Sequence, residues 1–134
     1  MKLKSFFICI LVATPQVFAE TKSIQKLKDP DPIYVIERCA VNSFQALNIV
    51  KSMQNKGKEE VEFEEVMLKR FNFFVDTLIN YHQDQDKFLS KEEITTKILN
   101  RITDLVKIVG NYSNKSDFFD DMKYCKSMVK YNKK

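Results

Sequence analysis

The chain has 134 residues, 22 basic against 18 acidic, and a formal net charge of +4. That length suits one small domain, and so small a charge gives no electrostatic footprint for nucleic acid or another polyanion. Only two glycines and three prolines punctuate the whole sequence, which speaks against a strand-and-turn protein and for long helices.

The chain opens on Met1-Lys2-Leu3-Lys4, a short positive segment. Ser5 to Ala13 follows without a charge. An apolar run of this length suits the h-region of a signal peptide and falls short of the roughly 20 residues that span a bilayer. Pro15 and Gln16 break it, and Val17-Phe18-Ala19 supplies the small residue before a cut. Residues 1–19 are therefore read as a cleaved secretory signal peptide, and the product as periplasmic or secreted. Cys9 sits too early, after Phe7-Ile8, to be a lipid attachment site. No later segment is apolar enough for a membrane anchor. Removing residues 1–19 removes Lys2 and Lys4 and no acid, which leaves a net charge of +2.

Residues 20–30 carry no apolar period and end in Asp29-Pro30; they read as a flexible leader, with a single helical domain over 31–134. Asp31-Pro32 is a helix start, Asp as N-cap and Pro in the first turn. Ile33, Ile36, Ala40, Phe44, Leu47 and Val50 then recur at spacings of three and four, with Cys39 at the edge of the stripe. Gly57 ends this first helix. The second opens on five glutamates between Glu59 and Glu65, where the helix dipole favours negative charge. Its stripe is Phe63, Met67, Phe71, Phe74, Leu78 and Tyr81. Val66 and Phe73 lie off that stripe, two turns apart on one side. Either the second helix is the most enclosed of the set, or this pair contacts a partner. Ser90 with Glu93 is a capping box for the third helix, whose stripe runs Ile94, Ile98, Ile102, Leu105, Val109, Tyr112. Ser116-Asp117 starts a shorter fourth helix with Phe118, Met122, Cys125 and Val129 inward.

Four single-stripe helices with short connections pack most simply as an all-α, up-down four-helix bundle. First and last helices are then neighbours. An exported chain with two cysteines remaining implies one disulfide, Cys39 to Cys125. Counted at 1.5 Å per residue, the two cysteines reach the same level only if residues 110–116 run partly down the bundle before the fourth helix begins.

No motif carries chemistry. His82 to Glu93 can be laid on the twelve-residue EF-hand loop, with Asp84, Asp86 and Glu93 in ligand positions. But His82 stands where the first aspartate belongs, and Lys87 where a glycine must turn. A metal site is not expected, and two cysteines with one distant histidine make no ligand set. No nucleophile accompanies His82, so no catalytic residue is assigned. No cofactor is implied; Met53, Met67, Met122 and Met128 read as core filler. Asn111 and Asn114 head glycosylation sequons that matter only in a eukaryotic host. The lysine-rich C-terminus matches a helix dipole. The expected function is non-enzymatic binding of a protein or an apolar ligand, through Val66 and Phe73 if they form a contact. A periplasmic stress or chaperone-like factor, and an enzyme whose site leaves no motif, are the alternatives. Partner identity and oligomeric state leave no mark in the sequence.

Overall fold

The computed structural model describes residues 21–110, 112 and 115–131, the side chains of Lys130 and Tyr131 excepted. The proposed signal peptide and both sequon asparagines lie outside the described residues. After one 3-10 turn at Ile24–Lys26, four helices follow: α1 Pro32–Lys51, α2 Lys58–Gln85, α3 Lys91–Val109 and α4 Lys115–Tyr131. The starts are the ones the local chemistry dictates. The Asp31 carboxylate accepts from the Ile33 amide at 2.8 Å, with Pro32 next in line. Ser90 and Glu93 exchange both bonds of the capping box.

The chain is an all-α bundle of the up-down kind, its first and last helices joined by the Cys39–Cys125 disulfide with Cα atoms 5.5 Å apart. The helix that lies at the centre is α1. It packs against all three others, and every residue from Glu37 to Ser43 is buried. This corrects the expectation that the second helix is the most enclosed. A four-residue stripe period accounts for one neighbour, whereas α1 also turns Arg38, Cys39 and Asn42 towards α4. Helix α2 is 28 residues long rather than about 20, because no glycine or proline interrupts it between Lys58 and Gln85. Its first turns, Lys58 to Glu62, are exposed but for a half-buried Glu60.

The bonds between α1 and α4 set the levels. Asn42 Nδ2 donates to the Phe118 carbonyl at 3.2 Å, Arg38 pairs with Asp121, and Cys39 with Cys125. Gln45 Nε2 donates to the Gly110 carbonyl at 3.2 Å. So α3 ends, and α4 begins, beside the middle of α1. The cysteines align because α3 itself stops short of the top of α1, as well as through the connection that follows. A side chain is poorly tolerated at that stop: a Cβ on Gly110 would collide with the backbone carbonyl of Val106, and the Gln45 amide, 2.6 Å away, would also have to move.

Residues 21–28 are not a free leader. Ile24 is 2% exposed and joins the main core. Its amide donates to Asp121 Oδ1 at 2.7 Å, and Lys26 pairs with Asp117 at 2.7 Å. Asp121 Oδ2 accepts from Arg38 Nη2 at 2.9 Å and also from the Tyr112 hydroxyl. Arg38 Nη2 reaches the Lys22 carbonyl at 2.7 Å as well. The Arg38 guanidinium lies 5.8 Å from the Tyr34 ring centre and 5.9 Å from that of Tyr112. Burial, then the bond to Asp121, pushes the Tyr112 hydroxyl up to about 12. A buried charge persists only when paired and hydrogen-bonded, and the backbone of residues 22–24 supplies part of that pairing. Residues 21–28 showed no stripe because Ile24 is their one buried apolar side chain and much of the remaining docking runs through main-chain groups, which composition does not reveal.

Candidate functional site

Helices α2 and α4 are both antiparallel to α1, so they run parallel to each other. A groove of about 490 Å³ opens between them, lined by Phe63, Val66, Met67, Arg70, Phe119, Met122, Lys123 and Lys126. Val66 is 46% and Phe119 53% exposed, whereas Met67 is buried beneath them. Phe63, Phe118 and Met122 close the floor against Ala46, Leu47 and Met67.

The groove has one electrostatic peculiarity. Arg70 is only 7% exposed, yet its sole hydrogen bond among the described residues runs from Nη1 to the Met122 carbonyl at 3.2 Å. No carboxylate among the described residues pairs with it, and burial pushes its pKa down. Lys123 and Lys126 add two exposed cations, and among the described residues no acidic side chain lines the groove. Arginine's planar fork of donors suits an oxyanion.

A second cleft, of about 330 Å³, lies at the α2–α3 turn. Leu78, Leu89, Ile94 and Ile98 form its apolar wall, and Glu37, His82, Asp86, Lys97 and Arg101 its polar one. Here the main charges answer each other. Arg101 Nε donates to Glu37 Oε2 at 3.0 Å and Nη2 to Oε1 at 3.4 Å. That bond raises the Arg101 pKa. His82, singled out as the lone histidine, lines this cleft and stacks edge-on to Tyr81 at 5.1 Å.

No protein-family model, curated protein or solved structure matches this chain.

The sequence-derived residues fall in different places. Cys39 and Cys125 are both fully buried and bonded. Val66 lines the α2–α4 groove. Phe73 does not line it: it is half-buried, packed against the main core and edge-on to Phe74 at 5.2 Å. The loop laid on the EF-hand pattern is helical from His82 to Gln85, Asp86 accepts from the Phe88 amide, and Glu93 serves the capping box. Among the described residues no three His, Cys, Asp or Glu side chains converge as metal ligands. No described helix is long and apolar enough to cross a membrane. Arg70 was missed by the sequence reading. Its signal was faint but present: it falls between Met67 and Phe74 on the buried stripe, where a cation is out of place.

Proposed function

We propose that this chain is the precursor of a small exported protein, periplasmic or secreted, that works by non-enzymatic binding through the α2–α4 groove. The observation that carries the reading is the groove's lining. Val66 and Phe119 stand exposed over an apolar floor, and no carboxylate among the described residues lines the groove beside its cations. Apolar side chains left open beside convergent polar groups are the ordinary character of a binding site. Export is supported by the charged and apolar segments at the N-terminus and by the buried disulfide, which belongs to an oxidising compartment. In this reading Val66 is a contact residue, with Phe119 and Met122 opposite it across the groove.

The test is site-specific photo-crosslinking in the exporting host. A photoreactive residue at position 66 should give a discrete adduct. The same group at Leu99, 41% exposed on α3, should not. Equal labelling from both positions, or none from position 66, would remove the groove as the binding face.

A further inference from the structure

The order of residues along the groove says more than its composition. On α2 the lining runs Phe63, Val66, Met67, Arg70; on α4 it runs Phe119, Met122, Lys123, Lys126. The helices are parallel, so both walls pass from apolar to cationic in the same direction. Each wall covers eight residues, a rise of roughly 10 Å of helix from first to last. The groove is thus amphipathic along its length, with a tail end at Phe63 and Phe119 and a head end at Arg70 and the two lysines. At the head end the buried guanidinium has, among the described residues, one carbonyl for a partner and no anion. A buried charge is costly until it is paired.

We infer that the groove binds an anionic amphiphile of medium chain length, with its carboxylate on Arg70 and its alkyl chain lying between Val66 and Phe119. This rests on the binding reading above and names the ligand class of the same site. The carboxylate takes a charge-assisted, forked bond from Arg70, with Lys123 and Lys126 adding attraction at the mouth. The chain covers Val66, Met67 and Met122. Hydrogen-bonding side chains occur at one end only. An extended peptide would leave its main-chain groups unpaired against the apolar walls, whereas an alkyl chain needs no partner there.

The experiment titrates the oxidised protein with decanoate, decanol and decyltrimethylammonium below their micelle concentrations. It is read by calorimetry and by the methyl resonances of Met67 and Met122. Decanoate should bind and shift both methyls, with decanol at least about tenfold weaker, the worth of a hydrogen bond to a charged group, and the cation weaker still. Arg70→Gln should bring decanoate down to the level of decanol. Should Arg70→Gln fold poorly, Lys123→Gln with Lys126→Gln, both exposed, should still weaken decanoate several-fold and leave decanol unchanged.

Equal binding of decanoate and decanol would overturn the anion inference and leave an apolar binding groove standing. Decanoate binding indifferent to all three cations would overturn it too. Absence of any amphiphile binding while position 66 still crosslinks to a partner would remove the ligand class and keep the binding face. A synthetic acidic amphipathic helix that shifts the same methyls and displaces decanoate at lower concentration would assign the groove to a protein partner instead.

Discussion

Replacing Asp121 by Asn tests how residues 21–28 are held. The Asp121 carboxylate is fully buried and accepts from the Ile24 amide, from Arg38 and from the Tyr112 hydroxyl. Asparagine keeps the shape and one acceptor but removes the charge and adds two donors. Arg38, 2% exposed, then remains in the interior without an anion. Breaking one side of a buried pair costs about 3–5 kcal/mol, a large share of the roughly 5–15 kcal/mol that holds a domain together. The Lys56–Glu64 pair is the internal control. Its side chains are 29% and 30% exposed, and removing it should cost under about 1 kcal/mol. Urea unfolding by linear extrapolation measures both, and amide exchange at Ile24 reports whether the N-terminal segment has come off. Arg38→Met combined with Asp121→Leu should recover part of the loss, since an apolar pair replaces the ionic one. An Asp121→Asn variant within about 1 kcal/mol of the parent, or with Ile24 exchange unchanged, would refute the account of the buried cluster.

Other outcomes follow from the same geometry. After expression with export, the intact mass should match Glu20–Lys134 less two hydrogens; an uncleaved chain or two titratable thiols would contradict the export reading. Cys39→Ala with Cys125→Ala should lower stability by up to about 4–5 kcal/mol, because the bond closes a separation of 86 residues; a loss below about 1 kcal/mol would show that loop closure matters little here. Phe73→Ser should cost about 1–3 kcal/mol, less than the 3–5 of a fully buried phenylalanine, whereas exposed Val66→Asp should stay within about 0.5 kcal/mol. A Phe73 variant as stable as the parent would remove Phe73 from the core. For Tyr112 the folded pKa is raised to about 12, so its contribution is whole below the unfolded value near 10 and is lost as pH rises through 12. The loss is at most about 2–3 kcal/mol, it should be absent in Tyr112→Phe, and an identical alkaline unfolding profile for the two would disprove it.

What the sequence determined by itself was everything that local chemistry controls. Asp31-Pro32 and the Ser90–Glu93 box start their helices because a cap is satisfied within three residues. Ile94, Ile98, Ile102, Leu105 and Val109 are buried as a helical period requires, on a helix that has one buried stripe. The disulfide was legible because the chain has only two cysteines, Cys39 and Cys125, after the apolar N-terminal segment that holds Cys9, and two permit one pairing. The tertiary structure decided what depends on a helix having several neighbours at once. Helix α1 proved to be the centre, since its burial comes from three partners and its stripe describes only part of that contact. The N-terminal segment docks through one apolar side chain, Ile24, one ion pair at Lys26, and the main chain of Lys22 and Ile24; a lone apolar residue makes no stripe, and main-chain bonding leaves no trace in composition. The groove depends on α2 and α4 running parallel, both against α1. Only that arrangement sets Phe63 beside Phe119 and Arg70 beside Lys123 and Lys126, residues more than fifty positions apart in the chain.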